Sequence, residues 1–102
     1  FNGIVFIDAA YTDFCSESSF LSSISEYPRL IVSQTFSKAW GLAGIRLGMA
    51  FGSAELIQLL TLIKPPYNIN AHTQEAAKRA LLRAEEKHEY VRKLTLERER
   101  LV

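Results

Sequence analysis

The chain has one cysteine, one methionine and one tryptophan among 102 residues. A lone Cys15 cannot close an internal disulfide, so a disulfide scaffold is excluded and a reducing, cytoplasmic setting is the simplest expectation. No apolar run reaches the ~18 residues that a membrane span needs, so no membrane partner is expected. There is no basic, apolar leader; the chain opens on Phe1-Asn2-Gly3. The net charge is only +1, which excludes strong electrostatic capture of nucleic acid or of an anionic membrane. Repeats and low-complexity tracts are lacking too. What is present is ordinary for a globular chain: 48% hydrophobic and 23% charged residues. The length is that of one small domain. The first residue is not Met, and the chain closes on Leu101-Val102 without a helix stop signal, so it reads as a piece of a larger protein.

Charge is distributed unevenly. Residues 1–63 carry eight charged side chains and residues 64–102 carry fifteen. The first part is expected to form core and the last part to present a solvated face. Ile4–Ile7 is an unbroken apolar run ending at Asp8, which predicts a strand buried on both faces. Residues 17–27 predict a short helix or an irregular crossover. Leu30-Ile31-Val32 opens a second buried strand that runs to about Thr35. Residues 38–44 form a turn punctuated by Gly41 and Gly44. Residues 45–51 alternate and predict a third strand, with Arg46 at its start. Ser53 is an expected N-cap for a helix through Ile63, stopped by Pro65-Pro66.

From about Ala71 to Val102 the periodicity predicts one long helix capped by Asn70, roughly 45 Å in length. Ala77, Ala80, Leu81, Ala84, His88, Val91, Leu94, Leu101 and Val102 would form its apolar stripe. Glu75 with Arg79, and Glu89 with Lys93, are favourable pairs on its outer face. A stripe this long exceeds what the rest of the chain can cover, which predicts self-association, most simply as a homodimer. The fold class is thus α/β, with two parallel strands, one antiparallel strand, flanking helices and a long C-terminal helix.

The chemistry follows from the topology. Two buried strands joined by a crossover are expected to be parallel, and ligands of such sheets bind beyond the carboxyl ends of the strands. Asp8 lies at the end of the first strand, and Ser37 and Lys38 lie just past the end of the second. An antiparallel third strand begins at the same edge, which brings Arg46 there. A carboxylate, an amine, a guanidinium and several hydroxyls on one rim suit a phosphorylated aromatic aldehyde. Pyridoxal phosphate needs a lysine amine for its aldehyde, a carboxylate for its pyridine nitrogen, and hydroxyls with a cation for its phosphate. Asp8, Thr35, Ser37, Lys38 and Arg46 supply this set, and the Tyr11 hydroxyl could meet the ring oxygen. No metal is expected. Each residue also has a plain structural use: Asp8 in a strand-end turn, Thr35 and Ser37 as backbone caps, and Tyr11 as a packed aromatic. Cys15, Trp40 and both histidines read as packing or structural residues.

The segment Thr35-Phe36-Ser37-Lys38-Ala39-Trp40-Gly41-Leu42-Ala43-Gly44-Ile45-Arg46-Leu47-Gly48 closely resembles the lysine segment of histidinol-phosphate aminotransferases. These belong to the fold type I, aspartate-aminotransferase-like pyridoxal-phosphate enzymes. Asp8-Ala9-Ala10-Tyr11 resembles that family's Asp-Glu-Ala-Tyr motif, and Pro66–Asn70 resembles its loop before an interdomain helix. The resemblance covers nearly the whole chain. It implies that Lys38 is the Schiff-base lysine and proton carrier, that Asp8 pairs with the pyridine nitrogen and that Tyr11 bonds the ring oxygen. It further implies that Thr35, Ser37 and Arg46 hold the phosphate. Residues 1–102 would be part of the cofactor-binding large domain, with the interdomain helix at about 71–102. The partners implied are an amino donor and a 2-oxo acid, here L-histidinol phosphate and 2-oxoglutarate. Ala9 and Gln34 depart from the family's usual Glu and Arg, which bears on substrate choice. Several of the family's other ligand-binding elements match nothing in this chain, so these 102 residues are expected to be inactive by themselves. Threonine-phosphate decarboxylase-like enzymes share similar lysine motifs, and a non-catalytic, self-associating domain is the alternative outside enzymes.

Overall fold

The computed structural model describes residues 1–102. Its centre is a three-stranded sheet of β1 (Val5–Asp8), β2 (Leu30–Thr35) and β3 (Gly48–Gly52), in that spatial order. β1 and β2 are parallel with Asp8 opposite Ser33. β2 and β3 are antiparallel with Thr35 opposite Gly48. This is the mixed arrangement expected from the sequence. The crossover between β1 and β2 holds two single 3-10 turns, Thr12–Phe14 and Phe20–Ser23, rather than an α-helix. Its serines explain this: the Ser19 hydroxyl accepts from Leu21 N–H at 3.2 Å, and Ser22 donates to the Ser19 carbonyl at 3.0 Å. Such side-chain bonds compete with the regular helical ladder.

The core is concentrated on β2. Leu30, Ile31 and Val32 are buried there, and Val32 is the one large side chain with no exposure. Phe36 and Ala39, just beyond the strand, are buried as well. β1 departs from expectation. Val5 and Phe6 are exposed, at 44% and 61%, and only Ile7 is half-buried. β1 is an edge strand whose faces no element of these 102 residues covers, so an apolar run did not translate into burial. Cys15, expected as a packing residue, is exposed.

Helix α1 (Ala54–Ile63) starts where the sequence places it. The Ser53 hydroxyl accepts from Leu56 N–H at 3.4 Å, and Glu55 occupies the favourable first turn. The helix stops at Lys64, ahead of the two prolines. Asn70 caps the next helix in the same manner, with its Oδ1 accepting from Thr73 N–H at 2.8 Å.

The single long helix does not form. It is divided into α2 (Ala71–Leu81) and α3 (Ala84–Leu101) by a turn at Leu82 and Arg83. No glycine or proline marks this break. The reason is tertiary: after the turn, α3 packs on the Thr12–Phe14 segment, where Lys87 Nζ meets Asp13 Oδ1 at 2.6 Å. Within α3, Ala84 and Val91 of the expected stripe face inward and the rest of it does not. Ala84, Lys87, Val91 and Thr95 are the half-buried ones, whereas His88, Leu94, Leu101 and Val102 of the expected stripe are exposed. On the outer face, Glu75–Arg79 and Glu89–Lys93 pair as expected, at 3.0 and 2.7 Å.

Candidate active site

The carboxyl ends of β1 and β2 and the start of β3 share one edge of the sheet, as the registers require. Asp8 is fixed there by two contacts. Its Oδ1 accepts from Ala10 N–H at 3.1 Å and from the Ser33 hydroxyl at 3.4 Å. The chain then turns through Tyr11 into the Thr12–Phe14 segment, where Thr12 N–H donates to the Ala9 carbonyl at 3.2 Å. Asp8 therefore keeps its second oxygen free on an exposed rim.

The lysine turn is built by its neighbours. Buried Phe36 and Ala39 pin its two sides, which leaves Ser37 half-buried and Lys38 exposed. Gly41 N–H donates to the Lys38 carbonyl at 2.9 Å, and Leu42 N–H to the Phe36 carbonyl at 2.9 Å. Gly41 closes the turn with φ +66°, a conformation that a side chain disfavours. Lys38 Nζ stands 5.1 Å from the centre of the Tyr11 ring. It takes part in none of the five ion pairs of the chain. An amine with a π-face beside it and no competing carboxylate is open to an incoming electrophile once it has given up its proton.

Thr35 serves the turn directly. Its hydroxyl accepts from Ser37 N–H at 3.0 Å and donates to the Leu47 carbonyl at 3.4 Å. Arg46 sits two residues ahead of β3, not within it, and has φ 53°, ψ 49°. This is the left-handed region, which few non-glycine residues adopt. Its guanidinium Nη1 donates to the Ala43 carbonyl at 2.9 Å, which holds the side chain close to the turn. The structure thus joins Lys38 to Tyr11 and Thr35 to Ser37. Asp8 and Arg46 stand on the same edge, each fixed by its own local bonds.

Of the supports of this edge, sequence reasoning missed Thr73 and Lys87, whereas Trp40 packs as expected. Buried Thr73 on α2 donates to the Ile45 carbonyl at 3.2 Å, which ties the helix to the peptide before Arg46. Trp40 packs on Phe36 with ring centres 5.4 Å apart. Lys87 Nζ lies 5.0 Å from the Trp40 ring centre while it pairs with Asp13. Nothing in the order of residues near the motifs could have signalled the contacts of Lys87 and Thr73, which are remote in sequence. No group of three His, Cys, Asp or Glu side chains is arranged to hold a metal.

The donor set suits a ring with a basic nitrogen at one end and an anionic group at the other. Asp8 offers an oriented carboxylate, Lys38 an unpaired amine, Tyr11 a phenol, and the Ser37–Arg46 side a hydroxyl, peptide N–H groups and a guanidinium. The chain belongs to the aminotransferase class I and II family, whose family model matches residues 1–102. Among individual proteins, it is 55% identical over 102 residues to a histidinol-phosphate aminotransferase of Parabacteroides distasonis, covering 99% of this chain and 29% of that protein. It is 50% identical over 99 residues to the protein of that name from Cytophaga hutchinsonii, covering 97% of this chain and 28% of that protein. The fold matches the crystal structure of histidinol-phosphate aminotransferase from Sinorhizobium meliloti in complex with pyridoxal-5'-phosphate. There the TM-score is 0.85 and the sequence identity 27%, over 96% of this chain and 27% of that one. The chain spans less than a third of the length of these relatives.

Proposed function

We propose that this chain is the lysine-bearing part of a pyridoxal-phosphate-dependent aminotransferase that exchanges an amino group between L-histidinol phosphate and 2-oxoglutarate. The observation that carries this reading is the unpaired Lys38 amine, held beside Tyr11 on the sheet edge that also bears Asp8. Similarity to histidinol-phosphate aminotransferases at about half of all positions supports the substrate assignment. Residues 1–102 are read as part of the cofactor-binding large domain, with α2 and α3 leading away from it. The exposed apolar side chains of α1 and of the loop after it, Leu62, Ile63 and Tyr67, support a homodimer. No helix is long and apolar enough to cross a membrane. A free, exposed Cys15 accords with a reducing, cytoplasmic location.

Pyridoxal phosphate, when bound, supplies an electron-withdrawing ring that stabilises negative charge at the substrate Cα. The residues of this chain hold and serve it. Asp8 would keep a proton on the ring nitrogen, and its locked Oδ1 sets the direction in which the other oxygen points. Tyr11 would offer its phenol O–H to the ring oxygen. Ser37, Thr35 and Arg46 would hold the phosphate, with Thr35 fixing the Ser37 peptide and Arg46 adding positive charge. Lys38 would be the residue that holds the cofactor's aldehyde, and its Nζ, once displaced there by the substrate amine, would hold the proton exchanged with the substrate Cα.

The test uses the full-length protein. Pyridoxal phosphate added to it is expected to give a visible absorption band that Lys38→Ala abolishes, together with amino transfer from L-histidinol phosphate. A protein that turns over this substrate undiminished after Lys38→Ala would overturn the reading.

A further inference from the structure

Two chain segments leave the sheet edge carrying the residues that face each other, Tyr11 after β1 and Lys38 after β2. Each segment carries a second residue two positions further on, Asp13 and Trp40. Both of these converge on one ammonium. Lys87 Nζ is 2.6 Å from Asp13 Oδ1 and 5.0 Å from the Trp40 ring centre. The Lys87 side chain is only 11% exposed and that of Asp13 28%, in contrast to the other four ion pairs, all of whose side chains are more than half exposed. A shielded pair is screened little by salt and holds its geometry.

We propose that Lys87 is a positioning residue for the Lys38–Tyr11 pair. It clamps the Asp8–Tyr11 segment and the lysine turn to each other through Asp13 and Trp40. Three observations argue for this role over simple surface pairing. The clamp joins segments that share no hydrogen bond of their own beyond the sheet, since the last main-chain bond between them is Ala9 N–H to the Ser33 carbonyl. Trp40 is itself seated on buried Phe36, so the cation bears on a fixed ring. Finally, Lys87 lies on the half-buried face of α3, between Ala84 and Val91. Lys87 touches neither Lys38 nor Tyr11 and acts only through its two partners. The proposal rests on the cofactor reading given above.

The experiment uses full-length protein loaded with pyridoxal phosphate. The wild type is expected to show the visible band that Lys38→Ala abolishes; a wild type without it would sink the cofactor reading and this role together. With the band present, Lys87→Met is expected to move its pH midpoint by about half a unit and to lower kcat about tenfold, with KM within about twofold. Lys87→Arg should restore most of both. Asp13→Asn should reproduce the Lys87→Met effects, and the double variant should be no worse than either single one, because the partners act as one unit. Asp13→Asn also carries the test if Lys87→Met does not fold. If both variants merely melt at a lower temperature, with band midpoint and kcat unchanged, the pair is structural only and the positioning role is refuted.

Discussion

Lys38 Nζ stands 5.1 Å from the centre of the Tyr11 ring, across the gap between two parallel strands. The pair is exposed, so its cation–π attraction is worth about 0.5–1 kcal/mol. Its ring and its hydroxyl can be separated by mutation. Tyr11→Leu is expected to lower the stability of the full-length protein by about 0.5–1 kcal/mol in urea denaturation. Tyr11→Phe keeps the ring and should leave stability unchanged, while loss of one hydrogen bond weakens pyridoxal-phosphate binding about fivefold. Equal cofactor binding by Tyr11→Phe and wild type would remove the phenol from the site.

Thr35 is the support of the lysine turn. Thr35→Val removes the acceptor of Ser37 N–H and the donor to the Leu47 carbonyl in one step. Since these groups are partly buried, the expected cost is about 1–3 kcal/mol. Thr35→Ser retains the hydroxyl and should recover most of that loss. Chemical denaturation of the three proteins decides the matter; a Val variant as stable as wild type would contradict it.

Arg46 sets stability against binding. Its backbone has φ 53°, a left-handed conformation that costs a non-glycine residue roughly 1–2 kcal/mol. Arg46→Gly removes that cost together with the side-chain bond to the Ala43 carbonyl, so net stability should change by no more than about 1 kcal/mol. The loss of charge-assisted bonds to a phosphate, about 1.5–3 kcal/mol, should weaken pyridoxal-phosphate binding by roughly 10- to 100-fold. Equilibrium dialysis of the two proteins measures this, and unaltered affinity would place the phosphate elsewhere.

The Glu89–Lys93 pair on α3 titrates in a defined direction. The hydrogen bond from Lys93, followed by the charge of the same ammonium, lowers the Glu89 pKa below its ordinary value of 4.5. A carboxyl with a depressed folded-state pKa adds stability above its unfolded pKa, and that stability fades as pH falls through the folded one. The pair is exposed, so the effect is small and salt-sensitive. In a carboxyl-detected NMR titration at low salt, Glu89 should show a midpoint below 4.5 that Lys93→Gln moves back up. A midpoint indifferent to Lys93→Gln would mean that the pair does not persist in solution.

Local chemistry was the legible part of this chain. Ser53 and Asn70 cap the helices expected of them, because a cap is decided within four residues. The order and direction of the strands followed from an apolar run, a crossover and a short turn. The common edge of Asp8, Lys38 and Arg46 followed from the strand directions. What escaped depends on contacts distant in sequence. β1 looks buried by composition, yet burial needs a covering layer that an apolar run does not encode. Arg46 looks like the start of a strand, but the bonds of residues 42–46 draw it into a left-handed turn. The Leu82–Arg83 break has no local signal; in α3 Ala84 and Val91 face inward as read, but Lys87 and Thr95 do so in place of His88 and Leu94.

The sheet has its two outer strands, β1 and β3, each hydrogen-bonded on one side alone. Such a ladder has no built-in width limit. Any extended backbone can zip onto either flank, and unpaired strand edges are templates for intermolecular association. Expressed by itself, this chain should therefore be prone to precipitate through its edges.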